Sequence, residues 1–157
     1  MGRRLTVLMA LVVCTAGFAV GSPAERVLVV ADADTGDRLL TVPVDEGTAV
    51  TLAYTHSVEK TPVEDRYVVN GTSLDNTQMR FQSYGWGLPA GANVSERDGW
   101  FVFDPDRSYE SVVVQPGRIA GHELWVDGET YDLVELSSAS AIRLSVERRR
   151  GPLPVYS

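Results

Sequence analysis

The chain has 157 residues and a formal net charge of −7, with 21 acidic side chains against 14 basic ones and a single cysteine. That length suits one domain once the N-terminus is set aside, large enough to bury about two-thirds of its unfolded surface without a metal or a disulfide. Because the one cysteine, Cys14, falls in the first apolar run, the folded part excludes a disulfide scaffold, a cysteine-based zinc site and a cysteine nucleophile.

The charge excludes nucleic acid as a partner, since phosphate contacts need a basic face. Removing residues 1–21, which hold Arg3 and Arg4 and no acid, takes the net charge from −7 to −9. Thirteen arginines stand against the sole lysine, Lys60. An acidic, lysine-poor surface is compatible with a salt-adapted, halophile-like source.

Arg3 and Arg4 precede an apolar stretch over residues 5–20. As a helix it would span about 24 Å, short of the ~30 Å hydrocarbon core. Residues 1–24 are therefore expected to be a signal peptide or signal anchor helix, touching the membrane and exporting the rest. The pair of arginines also raises a twin-arginine route, and Ala19-Val20-Gly21 is a passable cleavage site. Two glycosylation sequons, at Asn70 and Asn93, suit an exported surface.

From Arg26 onward the hydrophobic period is two. Residues 27–31 form an apolar run ended by the turn-rich 32–37, and 39–44 form a second. Val50, Leu52, Tyr54, His56 and Val58 alternate with polar residues, which predicts one strand face over 50–58. Residues 64–69 and 72–81 flank Asn70-Gly71, a hairpin signal. Asp98-Gly99 precedes 100–103, the run 109–114 stops at Gln115-Pro116-Gly117, and Asp127-Gly128 separates 123–126 from 130–134. Ile142, Leu144 and Val146 share a last face. About nine short strands predict an all-β fold, an antiparallel β-sandwich or barrel over residues 25–150. Residues 151–157 are expected to be a flexible tail.

Chemistry is densest over residues 54–65, YTHSVEKTPVED. His56 and Ser57 point to opposite faces in extended geometry, so the imidazole cannot activate its neighbour's hydroxyl. Pro62 keeps Thr61 extended. If 52–58 pairs with 64–69, then His56, Glu59 and Glu64 converge at one hairpin end. This admits a hydrolase using His56 with Glu59 or Glu64. The carboxylates Glu59, Glu64 and Asp65 also admit calcium, in a structural or adhesion module. The glycine-rich 82–89 stretch combines Gln82, Ser83, Tyr84 and Trp86, a mixture suited to recognition. The expected contact residues are His56, Ser57, Glu59, Lys60, Glu64, Gln82, Ser83 and Tyr84, with no catalytic residue among them and no resident cofactor.

Residues 38–44, the YTHSVEKTPVED block, the RFQSYGWGLP block from Arg80 and the DGWFV block from Asp98 resemble the domain-of-unknown-function 1850 family. The likeness runs over residues 27–146. It implies a small extracytoplasmic protein, an accessory or binding component beside a tripartite ATP-independent transporter of the TAXI type. Transporter subunits are therefore its expected partners. The resemblance hands over no catalytic residue.

Overall fold

Alternating apolar and polar residues, punctuated by turn-forming Gly, Asp and Pro, set the elements. The computed structural model describes residues 26–83 and 93–148. In chain order these residues form β1 (Arg26–Asp32), β2 (Arg38–Val44), β3 (Ala49–Thr55), β4 (Pro62–Asn70), β5 (Ser73–Phe81), β6 (Ser95–Arg97) and β7 (Trp100–Phe103). Then follow β8 (Arg107–Tyr109), β9 (Ser111–Val114), β10 (Glu123–Val126), β11 (Glu129–Asp132), the short helix α1 (Leu133–Ser137) and β12 (Ile142–Arg148). The expected leader at 1–24, Tyr84 with Trp86, and the tail at 151–157 lie outside the described residues.

The strands make two antiparallel sheets. The shorter runs β2-β1-β12-β9, and the longer runs β11-β10-β3-β4-β5-β7-β6 with β8 also on β5. Leu28, Val30, Val42, Ile142 and Leu144 from the shorter sheet pack against Val50, Leu52, Tyr67, Leu74 and Leu124 from the longer one, with Leu133 of α1 joining them. Burial of these apolar faces is the main source of stability, and the architecture is the all-β sandwich that the period of two predicts.

Two hairpins follow the expected turn chemistry. Asp98-Gly99 joins β6 to β7 with φ of 51° and 77°, and Asp127-Gly128 joins β10 to β11 with φ of 51° and 85°. Left-handed backbone at both turn residues matches the twist of the flanking strands. The hairpin near Asn70 is shifted by one residue. Asn70 pairs with Ser73, so Gly71-Thr72 make the loop.

Elsewhere the structure departs from the strand pattern. β3 ends at Thr55 rather than running to residue 58, and Val58 is 66% exposed in the following turn. The run 109–114 is two strands, because β8 pairs with β5 and β9 with β12, across the two sheets. Leu133 and Val134, read as the end of the strand 130–134, instead begin the helix α1. The Asp132 side chain accepts from the Val134 and Glu135 amides at 2.8 and 2.9 Å and caps that helix. β5 carries a bulge at Thr77, since Arg66 pairs with Gln78 and Tyr67 with Asn76. Leu74 and Asn76 therefore face the core while Gln78 and Arg80 face outward.

Candidate functional site

Antiparallel pairing brings three chain segments to one end of the long sheet. Thr55, the last residue of β3, pairs with Pro62, the first of β4, and Val63 pairs with Phe81, the last of β5. The 56–61 turn and the stretch beginning at Gln82 thus leave the same sheet end, and the Thr61 and Ser83 hydroxyls are hydrogen-bonded at 2.7 Å. A third segment joins them: the Thr55 amide donates to the Ala120 carbonyl at 2.8 Å.

His56 organises the turn. Its amide donates to the Thr61 carbonyl at 2.8 Å, its carbonyl accepts from the Lys60 amide at 2.9 Å, and its Nδ1 accepts from the Glu59 amide at 3.2 Å. Lys60 takes a left-handed backbone, φ 56°. These bonds pull the chain out of the strand, which is why Val58 does not continue the apolar face. Ser57, Glu59 and Lys60 are exposed on the turn.

Glu64 lies next to this end but faces the outer surface of the long sheet, opposite Ala53 and Arg80. Arg80 grips it with two hydrogen bonds, Nε to Oε2 at 2.7 Å and Nη2 to Oε1 at 2.6 Å. Arg66 adds a bond from Nη2 to Oε2 at 3.1 Å. The Arg80 guanidinium also stacks on Trp100, 4.5 Å from the ring centre. Burial pushes the Glu64 carboxyl up, but the hydrogen bonds and charge of Arg80, then of Arg66, outweigh it and leave it below the usual range.

Asp65 points the other way, into the sandwich, opposite Leu52 and Met79. It is 7% exposed, and its Oδ1 has no hydrogen-bond partner among the described residues. Burial raises its carboxyl to about 6. Tyr54 and Tyr67 are near enough that its charge adds to the effect of burial on both phenols, which stay protonated. Tyr67 is also hydrogen-bonded by Asn76 and meets Tyr109 edge-on at 6.4 Å. Tyr54 stacks on His122 at 4.9 Å, and the His122 Nδ1 accepts from the Gly117 amide at 3.2 Å. Burial holds that imidazole below the usual histidine value.

The expected residues therefore separate. His56, Ser57, Glu59, Lys60 and Ser83 gather at the sheet end, with Gln82 beside them. Glu64 belongs to the outer face, and Tyr84 lies outside the described residues. Glu64 is bound at both oxygens by Arg80, with Arg66 adding to Oε2, on the outer face of the sheet, while the Nδ1 of His56 is engaged by the Glu59 amide within its own turn. Glu64 and Asp65, consecutive in β4, occupy opposite faces and cannot share a cation. Among the described residues no three His, Cys, Asp or Glu side chains could hold one metal ion. Arg80, Arg66 and Trp100 are not among the expected residues. Their alignment with Glu64 depends on strand register, and Arg80 and Trp100 stand in two of the motif blocks quoted above.

These features define a small all-β domain with a constructed polar turn at one sheet end and a carboxylate–arginine–tryptophan stack beside it. The chain belongs to the family described as "Domain of unknown function (DUF1850)", whose family model matches residues 50–133, more than half of its length. The match runs from β3 to the first residue of α1, so it contains the turn, the stack and Asp65. No curated protein and no solved structure matches the chain.

Proposed function

We infer that this protein is an extracytoplasmic accessory or binding component that docks onto a solute transporter of the tripartite type, through the sheet end built from residues 56–61, 82–83 and 116–121. The carrying observation is the pair of exposed aliphatic side chains there. Val58 is 66% exposed and Ile119 is 76% exposed, and each belongs to a segment tied to Thr55 or its turn by backbone hydrogen bonds. Large apolar side chains held outward on a hydrogen-bonded frame, with Ser57, Glu59 and Lys60 as a polar rim, suit protein docking. A hydrolytic role for His56 is less well supported, because its Nδ1 and both carboxylate oxygens of Glu64 are already engaged.

The partner's identity comes from the family resemblance, and it is tested directly. An affinity-tagged full chain, carrying a photo-crosslinking residue at Val58 or at Val113 on β9, the edge strand of the shorter sheet, is illuminated in membranes of the native host and purified. Transporter subunits joined from position 58 and not from 113 are expected. Capture without any transporter subunit, or equal crosslinking from both positions, contradicts the reading.

A further inference from the structure

The outer face of the long sheet carries a second surface, which the docking end does not use. Gln78 and Arg80 of β5, Trp100 and Val102 of β7, and Arg97 and Asp98 of the β6–β7 hairpin line a cleft of about 310 Å³. Most of its unused polar groups are donors. Arg80 directs Nε and Nη2 to Glu64, and its Nη1 hydrogens have no partner among the described residues. Gln78 accepts from Arg66 Nη1 through Oε1 at 3.4 Å, which leaves its amide hydrogens available. Arg97 is exposed and makes no ion pair among the described residues. The Trp100 indole can only donate. Asp98, at the turn, is the one side-chain acceptor left among the described lining residues.

Two guanidinium groups and an amide donor in a cleft whose neighbouring carboxylate is already saturated call for oxygen acceptors that carry negative charge. Arg80 is held in place beforehand by Glu64 on its edge and Trp100 on its face, so a ligand does not have to order it. A protein of net charge −7 does not attract anions by its overall field, so retention must come from local donors. We propose that this cleft binds a small molecule through an oxyanion group, planar carboxylate or tetrahedral phosphate, gripped by Arg97, the free edge of Arg80 and the Gln78 amide, with Trp100 as its wall.

The test is a titration of the full chain in mild detergent, followed by NMR at the Trp100 Nε1 and Arg80 Nε signals. Sodium malonate and sodium phosphate are the probes, and sodium chloride at matched ionic strength is the control. Trp125, whose Nε1 donates to Glu123 at 2.9 Å, serves as an internal reference. A saturable shift at Trp100 and Arg80, absent at Trp125, is expected with at least one probe; which probe saturates tells carboxylate from phosphate. R97M, a change at an exposed side chain, should weaken that binding about tenfold through loss of one charge-assisted contact while leaving the melting temperature unchanged. Shifts that merely track chloride, or saturable binding that R97M leaves intact, overturn the site.

Discussion

Glu64 and Asp65 are adjacent carboxylates in one strand, both buried, yet their surroundings differ in every respect that sets a protonation state. Glu64 faces outward beneath two arginines that satisfy both its oxygens, and it stays ionised. Asp65 faces inward among Leu52, Met79, Tyr54 and Tyr67, with Oδ1 unpartnered among the described residues and its carboxyl raised to about 6. Burial alone therefore does not decide the charge of a carboxyl here. The decisive difference is whether a cation with matching geometry reaches it.

Removing that cation should make the two residues alike. R80M leaves Glu64 buried with only the weaker Arg66 contact, and breaking such a pair is expected to cost about 3 kcal/mol at neutral pH. The readout is the urea midpoint at constant slope. The loss should shrink toward pH 4, because Glu64 can then be neutralised by a proton instead of by arginine. The double variant E64Q/R80M should recover most of it. A loss below about 1 kcal/mol for R80M would show that Glu64 does not depend on its arginine.

The next largest effect concerns Asp65, and its sign is opposite to that of Glu64. A carboxyl raised in the folded state holds its proton longer than in the unfolded chain, so stability falls as pH climbs from the unfolded value near 4 through about 6. Glu64, lowered in the folded state, contributes stability above the unfolded value that is lost as pH falls through the folded one. Replacing Asp65 by Asn removes its titration. The stability of D65N relative to the natural protein should rise by about 2–3 kcal/mol between pH 4 and pH 6.5 and then level off. The slope is the readout, because the new amide is itself buried and shifts the whole curve by a constant amount. A difference that stays flat across this range would mean that Asp65 is ionised and solvated at all these pH values.

The sequence shows much of the fold but little of this contrast. Alternation at Val50, Leu52 and Tyr54, the two Asp-Gly turns, and Ile142, Leu144 and Val146 are local signals, and the structure follows them. Where the pattern misleads, long-range pairing overrides it. A strict period of two would put Leu74, Asn76, Gln78 and Arg80 on one face, and only the bulge at Thr77 divides them into an inner and an outer pair. The grip of Arg80 on Glu64 follows from that division, so it cannot be read from residue spacing. The switch between β8 and β9 at Glu110 is equally non-local. Two other misses had local signals. Asp132 followed three residues later by Glu135 is a capping pattern that announces α1. The stretch 55–61, polar except for Val58 and ending before Pro62, marks a turn rather than the continuation of β3.

Trp100 gives a finer test of what holds Arg80 against Glu64. Replacing it by Leu keeps apolar cover but removes the aromatic face under the guanidinium, an interaction worth about 1 kcal/mol at a half-buried site. W100L should therefore lower the urea midpoint by roughly a third of the R80M effect. If R80M and W100L are combined, the loss should fall short of the sum, because the two changes remove a shared contact. Strict additivity would separate the tryptophan from the ion pair.

The smallest effect belongs to Arg38 and Glu147, which join β2 to β12 across the intervening β1 at 2.6 Å, the same separation as the Arg80–Glu64 contact. Distance gives no reason to rank one pair above the other. Exposure does: the Arg38 and Glu147 side chains are 52% and 44% exposed, against 29% and 7% for Arg80 and Glu64. Water and salt screen the exposed pair, and both long side chains lose freedom in forming it, so R38M is expected to change stability by about 0.5 kcal/mol or less. Raising the salt to about 1 M should abolish even that difference while leaving most of the R80M loss in place, since a buried pair lies beyond the reach of mobile ions. Run side by side in one urea series, R38M and R80M compare two pairs of equal contact distance and unequal solvent access. Equal losses from the two would refute the claim that desolvation separates Glu64 from the surface charges around it.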